Sequence, residues 1–144
     1  MLKLNLPEFK IRIKNKDNKA HIFDIVRKKF VLLTPEEWVR QHIINFLIQR
    51  KISKNHIAVE KKIVINNLIK RFDIVVFDRS GKILVLVECK APQITLNQKV
   101  FDQVSIYNQH LDSKYLMITN GLTHFYLKVD KKNKKYIFLD NFPI

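Results

Sequence analysis

The chain has 144 residues, 47% apolar and 10% aromatic, which is enough for one folded domain with a real core and argues against a disordered chain. Lys and Arg number 27 against 13 Asp and Glu, a net charge of +14, which favours a polyanionic partner such as nucleic acid, with lysine-rich solvation as the alternative. The single cysteine excludes an internal disulfide, and no apolar run approaches the roughly 20 residues needed to cross a bilayer.

The opening stretch MLKLNLPEFKIRIK has no apolar signal core, so a cytoplasmic location without membrane contact is expected. Residues 9–13, 21–26 and 28–33 read as short strands, with a turn at 16–19 between the first two. In the first of them Phe9, Ile11 and Ile13 alternate with Lys10, Arg12 and Lys14, the pattern of a half-exposed strand.

The period then changes. Thr34 suits an N-cap, Pro35 the first helical position, and Glu37 stands three residues after Thr34, as in a capping box. Val39, Ile43, Phe46 and Leu47 recur at helical spacing, so a helix is predicted over 35–51. Strands are predicted over 56–65, 68–78 and 82–90, joined by tight turns at Asn66-Asn67 and Arg79-Ser80-Gly81. The last two are apolar on both faces, as central strands are. Leu96, Val100, Phe101, Val104 and Tyr107 predict a second helix over 95–111. A strand over 114–121 follows, then a strand pair at 123–129 and 135–140 whose turn lies in the basic run 128–135. The order α-β-β-β-α-β predicts one α/β domain over 1–144: a strand extension at 1–33, a core at 34–126 of a mixed sheet flanked by helices, and a C-terminal strand at 127–144.

Chemistry concentrates where the apolar strand ILVLV runs into Glu88, Cys89 and Lys90. With Ser80-Gly81 as a two-residue loop, Asp73 falls opposite Glu88, on the face that Lys90 also shares. A slip of one residue in the turn would flip that set, and a bulge near the site would restore it. Two carboxylates about 4–6 Å apart repel each other unless a cation lies between them, and Mg²⁺ (or Mn²⁺) takes one or two carboxylates and keeps its waters. Lys90 beside such an ion suits phosphodiester hydrolysis. The structural alternative is an ion pair of Asp73 with Arg71 or Lys90.

Asp73 with Glu88-Cys89-Lys90 resembles the bipartite motif of the PD-(D/E)XK nuclease superfamily, with Phe72 where a proline is expected. The segments TPEEWVRQHIINFLI, RFDIVVFD, VLVECKAP, FDQVSIYN and YLMITNG, spanning Thr34 to Tyr126, resemble the N-terminal nuclease domain of type I restriction enzyme R subunits, above all small stand-alone proteins carrying that domain. The resemblance implies a restriction-endonuclease-like fold and a Mg²⁺-dependent deoxyribonuclease acting in restriction, defence or repair. By it Asp73 and Glu88 bind metal, the Cys89 carbonyl adds a ligand and Lys90 is catalytic. Gln103 and Tyr107 match a Gln-x-x-x-Tyr signature, and their spacing puts both on one helix face, toward metal water or phosphate. A first-helix acid completes such sites; Glu37 is the first choice, with Glu36 and Glu60 as alternatives. A larger complex or a homodimer is expected, and the alternative function is a non-catalytic nucleic-acid-binding module or accessory subunit.

Other chemistries find no support. Cys89 alternates to the face away from Glu88, as a buried thiol. The single cysteine has no zinc spacing with His21, His42, His56, His110 or His124. No glycine-rich phosphate loop is present, so no nucleotide cofactor is expected, and the ATP-driven motor of R subunits has no counterpart in these residues.

Overall fold

The computed structural model describes residues 1–109 and 111–144, and for Ile65 only the backbone. His110, inside the helix expected over 95–111, lies outside the described residues. The elements run β1 (Ile13–Lys16), β2 (Lys19–Asp24), β3 (Lys29–Leu32), α1 (Pro35–Gln49), β4 (Ile57–Ile65), β5 (Leu68–Phe77), β6 (Ile83–Cys89), α2 (Gln98–Asn108), β7 (Tyr115–Thr119), β8 (His124–Asp130) and β9 (Lys135–Leu139). β1–β3 make a small antiparallel sheet, and β4 to β9 make a six-stranded sheet in sequence order. Its β6–β7 pair is parallel and crosses over through α2, while its other neighbours are antiparallel. The chain is therefore a mixed α/β protein with the α-β-β-β-α-β order from α1 to β7. None of the described helices is long and apolar enough to cross a membrane.

The two helices cover opposite faces of the large sheet. Val39, Ile43, Ile44 and Leu47 of α1 join Ile74, Val76, Val85, Val87 and Met117 in one core cluster, which Ile22 of the small sheet also enters. Val104 of α2 packs with Phe72, Val75, Leu86, Leu116, Ile118 and Leu127 in the other. Each such fully buried aliphatic contributes about 1.5–3 kcal/mol. The alternation of β5 and β6 thus feeds two cores at once, which is why both strands read as continuously apolar.

Several boundaries move for local reasons. Residues 9–12 are not a strand; β1 begins at Ile13, and its turn is Asp17-Asn18, both at positive φ (53° and 63°), as a two-residue hairpin turn requires. β2 stops at Asp24 because the Asp24 carboxylate captures the backbone N–H groups of Val26 and Arg27, both at 2.8 Å. α1 starts as expected, with Thr34 Oγ1 accepting from Glu37 N at 3.0 Å. α2 starts later than Thr95, because Asn97 is its N-cap and accepts from Val100 N at 3.1 Å. β8 straddles the boundary expected after Tyr126 and pairs with both β7 and β9, so the C-terminal hairpin completes the main sheet.

The β5–β6 hairpin sets the register of the centre. Its turn is one residue longer than the two-residue loop assumed from sequence: Asp78 N donates to Lys82 O, Gly81 adopts φ +84°, and Phe77 pairs with Ile83. A bulge between Val76 and Phe77 absorbs the slip, and Val76–Val85, Val75–Leu86 and Ile74–Val87 recover the register that directs Asp73 toward Glu88.

Candidate functional site

The ladder is interrupted at Asp73. Val59 pairs with Ile74 and Lys61 with Phe72, but the intervening pair Glu60–Asp73 drops out, and Glu60 takes φ +54°. Phe72 and Val75, three apart, both enter the α2 core, so strict alternation breaks between them. The break turns the Asp73 side chain to the α1 side, where Oδ2 accepts from the Cys89 backbone N–H at 2.7 Å and Oδ1 from Arg40 Nη2 at 2.7 Å. The pairing with Arg71 or Lys90 considered from sequence is replaced by one with Arg40, 33 residues away, which local spacing does not reveal.

Arg40 is the cationic hub. Its side chain is 5% exposed and engages Glu37 at 2.7 Å, Glu36 at 3.0 Å, Glu60 at 3.3 Å and Asp73 at 2.7 Å. Behind it lies a buried network. Arg27 Nη2 reaches Glu37 and its Nε reaches Asp24, while Gln41 Nε2 donates to both acids. Hydrogen bonds hold the Asp24 carboxyl below its usual range against the opposing cost of burial. Both Glu37 oxygens are engaged by Arg27, Arg40 and Gln41, so Glu37 serves the buried network and meets Asp73 only through Arg40. Glu36, one residue earlier and half-exposed, is the α1 acid that meets Asp73. Burial and then that neighbour push its carboxyl up, opposed by Arg40 and Lys90. Glu60 is shared between Arg40 and Arg71.

Glu88 follows Leu86 in the alternation and is buried. Burial, then the Asp73 charge, pushes its carboxyl from 4.5 up to about 7, against the pull of Lys70 and Lys90. Its Oε1 is buried without a hydrogen-bond partner. Lys90 lies just past the end of β6, half-buried, with its N–H on Thr119 O at 2.8 Å, and its charge acts on both Glu36 and Glu88. Asp73, Glu88, Glu36 and Lys90 are thus electrostatic neighbours, but the single face expected for Asp73 and Glu88 is not formed: the break turns Asp73 to the α1 side, while Glu88, two residues after Leu86, lies on the α2 side. Lys70, not foreseen from sequence, lies 5.0 Å from the Tyr107 ring centre and 5.6 Å from that of Phe72, which ties Tyr107 to the Glu88 neighbourhood. Gln103, one turn earlier on α2, is exposed. The Cys89 thiol is fully buried in the α1 core, and burial raises its pKa well above the ordinary range.

The raised Glu88 pKa predicts a pH effect. Between about pH 4.5 and 7 the folded state keeps a proton that the unfolded chain has released, so metal-free stability falls as pH rises through that window, by roughly 3 kcal/mol at most. Glu88→Gln is expected to remove this slope and to be more stable than the parent at pH 8. Urea unfolding of both proteins at pH 5, 6, 7 and 8 measures it, and parallel curves would contradict the assignment.

Among the described residues no three His, Cys, Asp or Glu side chains already form an ion-binding group. The orphaned Glu88 Oε1 is the donor open to a hard cation that takes one or two carboxylates and keeps its waters; Asp73, whose charge it feels, already accepts from Arg40 and the Cys89 N–H.

A family model described as the type I restriction enzyme R protein N terminus matches residues 35–143. Among solved structures, the chain is similar to a fragment of a putative HsdR subunit of a type I restriction enzyme from Vibrio vulnificus, with a TM-score of 0.55 and 21% identity. That match covers 77% of this chain and 24% of the other, so this chain spans about a quarter of its length; at this identity the likeness bears on the fold alone. No curated protein matches the chain. The family match covers α1 through β9 and takes in Glu36, Arg40, Asp73, Glu88 and Lys90, and the chain belongs to the type I restriction enzyme R protein N-terminal family.

Proposed function

We propose that the chain is a divalent-metal-dependent deoxyribonuclease of restriction-endonuclease-like fold, acting in the cytoplasm in restriction, defence or repair, within a larger complex. The observation that carries this reading is the buried Glu88 carboxylate, with an unpartnered oxygen, beside Asp73 and Lys90. Asp73, Glu88 and the Cys89 carbonyl would hold Mg²⁺ or Mn²⁺, with Glu36 in the outer position first assigned to Glu37. When bound, the ion supplies Lewis acidity at the scissile phosphate. Lys90 donates a hydrogen bond to the attacking water and offsets charge developing on the phosphoryl oxygens. Arg40 and the Cys89 N–H fix the Asp73 carboxylate in place. Tyr107 and Gln103 on α2 position the phosphate from the Glu88 side.

The purified protein, incubated with single-stranded, duplex and branched DNA, is expected to cut only when Mg²⁺ or Mn²⁺ is present. Its affinity for DNA should fall steeply with salt as counterions are released. Salt-sensitive binding without cleavage in either metal would make it a non-catalytic nucleic-acid-binding module.

A further inference from the structure

Beyond the candidate centre, β4 and β5 continue as a two-stranded arm that ends at Asn66-Asn67, both at positive φ (48° and 67°). The five residues Lys61–Ile65 reach about 16 Å past the centre. Lys62 pairs with Arg71 and Val64 with Ile69, so these four side chains share one face. Phe72 points into the α2 core, so Asp73 lies on that same face, in line with Arg71 and Ile69. A stripe therefore runs from the candidate centre through Arg71 and Lys62 to an apolar tip. Val64 is 68% and Ile69 70% exposed, and β4 is an edge strand of the sheet. The opposite face carries Ile63 and Lys70, which turn into the α2 core and the Tyr107 ring, and the exposed Leu68. Residues 61–72 hold no acid; Lys62 and Arg71 lie on the Asp73 face and Lys61 and Lys70 on the other, and Arg71 also stands 3.4 Å from Glu60 at the foot of the arm.

A basic stripe leading from a centre suited to phosphodiesters calls for an extended polyanion. Its apolar end calls for something to pack on as well as charge. We propose that the Asp73 face of this arm is a docking surface for duplex DNA. Lys62 and Arg71 take backbone phosphates next to the scissile one, and Val64 and Ile69 pack on deoxyribose and base edges about half a helical turn away. The proposal deepens the nuclease reading, on which it rests for the class of partner.

The test is fluorescence anisotropy with a labelled 30-base-pair duplex in EDTA, over a series of salt concentrations, so that cleavage does not enter. Lys62→Ala with Arg71→Ala is expected to weaken binding at least tenfold and to reduce the log–log salt slope by about 2, one phosphate for each side chain. Val64→Ser with Ile69→Ser is expected to weaken binding several-fold with the slope unchanged. Leu68→Ser, equally exposed on the other face, is expected to bind as the parent does, and circular dichroism melts check that all variants remain folded. Parental affinity in both double variants would overturn the arm's role while leaving the nuclease reading intact. No salt-sensitive binding by the parent protein would overturn both. If sedimentation showed the Val64/Ile69 variant turning a dimer into a monomer with DNA affinity unchanged, the face would be a self-contact and the proposal wrong.

Discussion

The Lys90→Ala protein is expected to bind Mn²⁺ and DNA as the parent does, to melt within a few degrees of it, and to cut DNA about 10³-fold more slowly in single turnover. Lys90 stands outside the buried ionic network, at the open end of β6, held through its backbone by Thr119. Its charge acts on both Glu88 and Glu36, the groups between which the proposed reading places the attacking water and the phosphate. Removing it takes away a donor to developing charge but no oxygen ligand. Asp73→Asn and Glu88→Gln should behave differently and lose ion affinity and cleavage together, since each would weaken an oxygen donor proposed for the ion. Calorimetric Mn²⁺ titration beside single-turnover assays separates the two classes. A Lys90→Ala protein that cuts at the parental rate would place the chemistry elsewhere.

Arg40→Met is expected to lower the melting temperature by about 10–20 °C. The guanidinium is buried and shared among four carboxylates, of which Glu37 is itself buried. Removing one partner of a buried pair costs about 3–5 kcal/mol, because the other charge stays out of water and uncompensated. For a chain of this length each kcal/mol moves the midpoint by about 3–5 °C. Glu36→Gln, at the exposed rim of the same network, should cost less than about 1 kcal/mol. Added Mn²⁺ is expected to stabilise the Arg40→Met protein more than the parent, since a second cation would then face Asp73 in place of the first. Differential scanning calorimetry with and without Mn²⁺ tests both statements, and an unchanged midpoint in metal-free buffer would show that the hub contributes little to stability.

Much of this organisation is legible in the chain because it is local. The Thr34-Pro35-Glu36-Glu37 cap announces α1, and the apolar runs of β5 and β6 announce central strands. The two-residue turn expected in the β5–β6 hairpin is one residue too short, and the register reaches Ile74–Val87 only because the bulge beyond Val76 cancels the extra loop residue; the shared face expected for Asp73 and Glu88 is lost at the break beside Asp73. What was hidden depends on distant partners. Nothing near Arg40 in sequence says that it will cross to Asp73, and the half-exposed pattern of Phe9 to Lys14 does not reveal that the strand begins only at Ile13, with Arg12 giving the ladder no more than its carbonyl to Phe23 N–H. As the first-helix acid of the site the sequence offers Glu37 before Glu36, with the capping box as the structural alternative for Glu37. Its backbone N–H does meet Thr34, but its carboxylate is drawn inward by Arg27, a residue before the helix. The break in alternation at Asp73 also leaves no mark on composition; it lies across from Glu60, at φ +54° on the neighbouring strand, where the ladder skips a pair.

The parallel β6–β7 pair has a consequence for the order of folding. β4, β5 and β6 are joined by short turns, as are β7, β8 and β9, so each half of the sheet can form as hairpins do, in about 1–10 µs. The two halves meet only after the chain has passed through α2, a loop closure whose entropy must be met before any β6–β7 contact returns it. Asp73 and Glu88 both belong to the earlier half. The Thr119 carbonyl that fixes the Lys90 backbone belongs to the later one, so the carboxylates are assembled first and the lysine is set in place when the sheet closes.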